Sequence, residues 1–265
     1  MTVKIELNGV EKIYQTTLGK VEALKNFSLS VDEGEFLCII GPSGCGKSTL
    51  LRILAGLYQQ SLGDVLVHRN GVTNRPINAV VFQEYAIFPW RTVYDNVGFG
   101  LEMRGVVRSE RAERTDAYLS KVGLTQFANH YPYQLSGGMK QRVALARALA
   151  TDPEILLMDE PFGALDAQTR AVLQEELLRI WEDEKKTVVY VTHSIEEAIM
   201  LGDRVVLMTA RPGQIKSTYD VPIPRPRTHK IRTLPEYNRL AQVMWEDLVE
   251  EVNKVMKNGE VFSDV

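Results

Sequence analysis

The sequence predicts an α/β protein in which helices cover a mostly parallel sheet, preceded by a β region. Three observations predict it. First, Phe36–Ile40, Ala79–Phe82, Ile155–Met158 and Thr187–Thr192 are short, almost wholly apolar runs, as expected of strands buried on both faces. Second, segments with helical spacing separate these runs, and strands alternating with helices favour a parallel sheet. Third, the first 35 or so residues read as β, with an alternating run at 3–7 and a second at Ala23–Val31 that ends in a turn at Asp32-Glu-Gly34.

The helices follow in order. One runs from Lys47 to about Leu57, directly after a glycine-rich turn. Residues 108–122 read as a charged surface helix, and Gly138 to Ala150 as a second. Gln168–Lys185 is long and repeats Val172, Leu173, Leu177, Ile180 and Trp181 at helical spacing. Composition shifts after Met208. Residues 211–228 are rich in proline and basic side chains and are expected to be extended and surface-lying. Pro235–Lys257 is expected to be a helix, whose stripe of Leu240, Val243, Met244, Leu248, Val252 and Val255 docks on the domain. The expected organisation is one domain over 1–210, with a helical subdomain near 90–150, and a C-terminal extension over 211–265.

Composition narrows the function classes. The 265 residues are 45% hydrophobic and 25% charged, enough to bury a full core. The net charge of −3 lacks the basic excess of a nucleic-acid partner. Cys38 and Cys45 form no C-x-x-C pattern, so neither a zinc site nor a disulfide framework is expected, and a reducing cytosol is the simplest setting. No apolar run reaches the roughly 18 residues of a membrane-spanning helix, and the N-terminus has no long apolar signal segment.

The strongest motif is Gly41-Pro42-Ser43-Gly44-Cys45-Gly46-Lys47-Ser48, followed by Thr49. It matches G-x-x-x-x-G-K-[ST] between a strand and a helix, the context in which that pattern cradles phosphates. Glycines permit a tight turn and close approach of the backbone. The exposed N–H groups and the helix N-terminus favour anions. Lys47 is expected to reach the β- and γ-phosphates, and the Ser48 hydroxyl to ligate Mg²⁺. Lys47 and the helix start both predict a lowered thiol pKa at Cys45, although a small residue that simply fits the loop explains it too.

Asp159 and Glu160 end the Ile155–Met158 strand. Side chains alternate along a strand, so adjacent acids there can do different jobs. Asp159 suits Mg²⁺, and Glu160 suits polarising an attacking water. Ligands gather at such strand ends in α/β sheets.

Leu135-Ser136-Gly137-Gly138-Met139-Lys140-Gln141-Arg142 resembles the signature motif of the ABC-transporter ATPases. Met139 departs mildly from the commoner glutamine. The resemblance covers roughly 1–210 and implies a P-loop NTPase core with an N-terminal antiparallel β region, a helical subdomain and a short C-terminal helical extension. It further implies an adenine-stacking role for Tyr14. Gln83 is implied as the Q-loop glutamine that touches Mg²⁺ and water, Ala164-Leu165-Asp166 as the D-loop, and His193 as the switch histidine. Catalysis is thereby assigned to Glu160, His193, Gln83 and Lys47. ATP binding is assigned to Tyr14, residues 41–49, Ser136–Gly138 and Asp166, and metal binding to Ser48, Gln83 and Asp159.

The resemblance also implies a mechanism and partners. Two copies face head to tail, with ATP between the phosphate loop of one and Ser136–Gly138 of the other. Two membrane permease subunits and an extracytoplasmic solute-binding protein complete the complex, at the cytoplasmic face of the inner membrane. Phe88-Pro-Trp-Arg91-Thr-Val-Tyr-Asp95-Asn96-Val97, Pro161-Phe-Gly-Ala-Leu-Asp166 and Thr209-Ala-Arg-Pro-Gly213-Gln-Ile are similar to importer ATPases for nitrate, sulfonates and taurine. DNA-repair relatives are disfavoured by the short stretch between Lys47 and Ser136, which has no sustained heptads. Ribosome-linked relatives are disfavoured by the single copy of the motifs, and an inactive scaffold by the intact Lys47, Asp159, Glu160 and His193.

Overall fold

A computed structural model describes residues 2–17, 19–69 and 75–257. The end of the expected C-terminal extension, 258–265, lies outside the described residues. The described chain divides into two compact units, one formed by 2–69 with 185–257 and the other by 75–184.

In the first unit, β1 (Val3–Thr16), β2 (Gly19–Asp32) and β4 (Leu62–Val67) form an antiparallel sheet in the order β2-β1-β4. The two first strands are longer than the apolar alternation predicts, because their outer halves pair through Ile13↔Glu22 and Thr16↔Gly19 with one polar face exposed. β4 was not expected. Its Leu62 and Leu66 are exposed, so it lacks the apolar face that marks a strand in sequence.

The same unit holds β3 (Phe36–Ile40), flanked by β7 (Thr187–Val191) and β8 (Arg204–Met208), all parallel, with β9 (Ile215–Asp220) antiparallel at the edge of β8. Every residue of β3 has zero exposure. Helix α1 (Lys47–Leu54) leaves the end of β3, and α6 (Ile195–Leu201) packs back on it. α1 stops a turn before the expected Leu57, at a turn that carries Gly56 with φ 72°. Helix α7 (Pro235–Lys257) packs on α6 and buries Tyr237, Met244, Leu248, Glu251 and Val255. Val243, expected on that buried stripe, is 45% exposed.

The stretch 211–228 is only partly surface-lying. β9 belongs to it, and Val221, Ile223 and Arg227 are buried. Arg227 is tolerated inside because its guanidinium donates to the carbonyls of Val221, Ile223, Ile199 and Gly202.

In the second unit, β5 (Asn78–Val81) and β6 (Ile155–Asp159) pair in parallel, with Val81 opposite Met158. Helices α2 (Val93–Met103), α3 (Arg108–Lys121) and α4 (Gly137–Ala150) pack on one another, and α4 also meets β5 and α5 (Ala167–Glu184). Thr92 caps α2 by accepting the Asp95 N–H at 3.1 Å. Asn96 lies inside with its amide spent on the carbonyls of Phe88, Arg91 and Thr92. No described helix is long and apolar enough to cross a membrane.

Candidate functional site

The phosphate-loop motif forms the link from β3 to α1. Gly46 takes φ 105° at the helix cap, and a Cβ there would stand 2.7 Å from the Ala23 carbonyl. Backbone conformation and space therefore both demand glycine. Lys47 is buried, and its ammonium donates to the carbonyls of Gly41 at 2.8 Å and Pro42 at 3.0 Å. The loop thus holds its own cation inside the turn, beside the positive end of α1.

Cys45 corrects the sequence reading. Burial pushes its thiol pKa up, and neighbouring Lys47 pulls it down by less. The thiol is 1% exposed, so desolvation wins over the nearby charge. Cys38 is also buried, and its pKa is likewise raised, chiefly by burial.

Tyr14 stands over the same region. Its hydroxyl is 3.3 Å from Thr49 Oγ1, and its ring meets Tyr58 edge-on. His193 follows β7 and is exposed. It lines a cavity of about 170 Å³ with Gly41, Pro42, Ser43 and the α7 residues Leu248, Val252 and Val255. This unit therefore brings together Tyr14, residues 41–49 and His193.

The second unit gathers the other named residues. Asp159 ends β6 and is buried. Glu160 then turns the chain with φ 43°, a left-handed conformation uncommon outside glycine. Its carboxylate and the Gln83 amide flank Gly163, at 3.7 and 3.9 Å from where a Cβ on that glycine would stand. Ser136 caps α4 by accepting the Met139 N–H at 3.3 Å. A Cβ on Gly137 would stand 2.9 Å from the Tyr85 hydroxyl, and one on Gly138 would stand 2.7 Å from Thr169 Cγ2. Asp166 accepts from the Thr169 N–H at 2.9 Å and the Gln168 N–H at 3.1 Å, which holds its carboxyl below the usual range. Ser136–Gly138 and Asp166 are thus neighbours through Thr169.

Sequence reasoning missed several supporting residues. Arg147 donates to the carbonyls of Tyr85 and Ala86 and so fixes the chain after Gln83. Glu197 is buried and accepts from Thr192, next to His193. The turn 209–214 lies against the phosphate loop: a Cβ on Gly213 would stand 2.2 Å from the Cys45 carbonyl. Only this last had a visible signal, its Arg-Pro-Gly run.

A buried strand, a glycine loop with an inward lysine and a helix opening on that loop define a nucleotide-hydrolysing α/β ATPase. Residues 24–163 match the ABC transporter family model. The chain is 52% identical to an ABC transporter ATP-binding protein of Methanocaldococcus jannaschii, over 97% of this chain and 96% of that one. It is 44% identical to a nitrate import ATP-binding protein of Synechocystis, over 88% and 90%. It is 42% identical to an aliphatic sulfonates import ATP-binding protein of Bacillus cereus, over 90% and 94%. A solved dimeric ATP-binding cassette in a post-hydrolysis state, bound to ADP and Pi, superposes with a TM-score of 0.72 at 36% identity, covering 82% of this chain and 98% of that one. The chain belongs to the ABC transporter family as an ATP-binding, ATP-hydrolysing subunit.

Proposed function

We propose that the chain powers the uptake of a small solute such as nitrate, a sulfonate or taurine, as a peripheral subunit at the cytoplasmic face of the inner membrane. Its proposed partners are a second copy of itself, two permease subunits and an extracytoplasmic solute-binding protein. The observation that carries the ATP-driven part of the reading is the inward-held Lys47 at the left-handed Gly46 cap of α1, and the likeness to import ATP-binding proteins supports the uptake part.

In this reading residues 41–49 cradle the phosphates, Tyr14 stacks on adenine, and His193 contacts the γ-phosphate. Glu160 takes the proton of the attacking water, aided by Gln83, which faces the same Gly163. Ser136–Gly138 open α4, so their N–H groups and its dipole suit the γ-phosphate held by the other copy. Asp166 organises the neighbouring turn. The oxygen donors of Ser48, Gln83 and Asp159 fit Mg²⁺, which when bound neutralises phosphate charge. Hydrolysis removes the shared phosphate, and the pair opens.

The test is the oligomeric state of Glu160→Gln by light scattering on a sizing column. The expected result is a dimer that forms only with Mg-ATP. A monomer in both conditions, with ATP bound, rejects Ser136–Gly138 as a clamp acting between isolated copies. Co-sedimentation with membranes separates the transporter reading from one in which the chain serves DNA or ribosomes.

A further inference from the structure

The turn between β8 and β9 is held from four directions. Thr209 N–H donates to the Gln214 carbonyl at 2.9 Å, and Gln214 N–H returns to Thr209 Oγ1 at 3.0 Å. The Thr209 hydroxyl donates to the Pro212 carbonyl at 3.0 Å. Gly213 N–H donates to the Ala23 carbonyl at 3.0 Å, and Lys25 N–H donates to the Gly213 carbonyl at 3.1 Å, which ties the turn to β2. Ala210 N–H donates to the buried Glu251 carboxylate at 2.9 Å, which ties it to α7. Gly213 packs on the Cys45 carbonyl, with no room for a Cβ. These bonds hold the backbone on both sides of Arg211.

Arg211 stands at the crest of this turn. Its guanidinium Nη2 lies 3.6 Å from where a Cβ on Gly44 would be, alongside the phosphate loop. The residue is exposed and makes no hydrogen bond or ion pair with any described residue. On the loop side its surroundings are positive, with the ammonium of Lys47, the N-terminal pole of α1 and the N–H groups of a glycine loop, while the Glu251 carboxylate is spent on the Ala210 N–H. An unpaired guanidinium beside such a cluster is repelled by it. An anion shared among them reverses the sign of that interaction, and the planar fork of arginine is suited to phosphate oxygens.

We propose that Arg211 is an additional polyphosphate-binding residue, a cation that closes on the phosphates of the bound nucleotide from the Gly44 side of the loop. The proposal rests on the reading that residues 41–49 cradle those phosphates. It also gives the C-terminal segment a task, since Glu251 of α7 helps brace the turn that presents Arg211.

The test is calorimetric titration of the full-length protein with MgATP and with MgADP, for wild type, Arg211→Ala, Arg211→Lys and Lys47→Ala. Arg239→Ala serves as a control, because Arg239 is an exposed α7 arginine with no described partner. Arg211→Ala is expected to weaken MgATP about tenfold, the scale of one charge-assisted hydrogen bond at an exposed site. Arg211→Lys is expected to fall between, and Arg239→Ala to match wild type. The deficit should shrink as salt is raised, because exposed charges are screened. Equal losses for MgATP and MgADP assign the contact to phosphates that both carry, and a loss confined to MgATP assigns it to the γ-phosphate. Thermal melting of Arg211→Ala is expected to match wild type, since no described hydrogen bond is removed. Wild-type affinity in Arg211→Ala together with lost affinity in Lys47→Ala overturns the role of Arg211 alone. Wild-type affinity in both variants overturns the loop reading as well. A lowered melting point in Arg211→Ala that tracks its affinity loss also overturns the proposal, since the residue then acts through the fold.

Discussion

The Thr192 hydroxyl donates to a buried carboxylate oxygen of Glu197 at 2.5 Å. The same hydroxyl accepts the Ser194 N–H at 3.0 Å, and Ser194 Oγ accepts the Glu197 N–H at 3.3 Å to cap α6. The Tyr190 hydroxyl adds a longer bond to the same carboxylate at 3.4 Å. Both neighbours of His193 are therefore pinned while His193 itself stays exposed. The exposed His193 side chain thus stands on backbone that has little freedom to wander.

Replacing Glu197 tests this relationship. Glu197→Ala leaves two buried hydroxyls without their acceptor, at a cost of about 1–3 kcal/mol in stability. Turnover should fall by more than ATP affinity, because the loss acts on the placement of His193. Glu197→Gln keeps an acceptor and should recover most of the turnover. Chemical denaturation and steady-state kinetics on the same preparations measure both effects. Wild-type turnover from folded Glu197→Ala would remove the network from any account of His193.

The cysteines make a second test. Burial raises the pKa of both thiols, and only the thiolate reacts. Iodoacetamide at pH 8 should label neither Cys38 nor Cys45 in the native protein and should label both in denaturant. ATPase activity should survive the native treatment. Rapid native labelling of Cys45 with loss of activity would show instead that the pull of Lys47 prevails over burial.

Acid should loosen α7. Burial alone would raise the pKa of Glu251, but hydrogen bonds from Lys254, the Ala210 N–H and Lys216 outweigh it and hold it low. Glu250 is held at about 2 by hydrogen bonds from Lys216 and Lys254. A carboxyl whose folded pKa is depressed stabilises the fold above its unfolded value, about 4.3, and stops doing so as pH falls through the folded value. Glu251→Gln should therefore cost about 2 kcal/mol at pH 7, the scale of hydrogen bonds to a buried charge. Its urea midpoint should converge on that of wild type as pH falls from about 5 towards 2. A constant gap across that range would show that the substituted amide fails for reasons of shape.

What was legible in the sequence followed from its periodicity and motifs. β3, β6 and β7 are short and wholly buried, so composition alone marks them. Lys47 and Ser136 sit at helix starts, where local chain signals are strong. β4 and β9 were not legible, because neither has a fully buried face, and they exist through pairing with β1 and β8. The lowered thiol pKa expected at Cys45 failed because adjacency to Lys47 is visible in sequence whereas burial is not. The brace formed by Glu197 and Thr192, and the one formed by Glu251 and Ala210, depend on contacts made only after folding.

Gly213 offers a test of how firmly the braced turn supports the phosphate loop. Its φ lies outside the left-handed region, so conformation does not demand glycine there; space does. A methyl group would meet the Cys45 carbonyl at 2.2 Å and Met208 Cε at 2.6 Å. The methionine can move aside, but the carbonyl belongs to the loop backbone. Gly213→Ala must push the turn and the loop apart, which by analogy with overpacked cores costs about 1–3 kcal/mol. Displacing the Cys45 peptide also disturbs the loop that, in the proposed function, cradles the phosphates. The variant should therefore lose both thermal stability and MgATP affinity, whereas Arg211→Ala should lose affinity alone. If Gly213→Ala melts and binds MgATP like wild type, the turn yields freely and does not hold the loop.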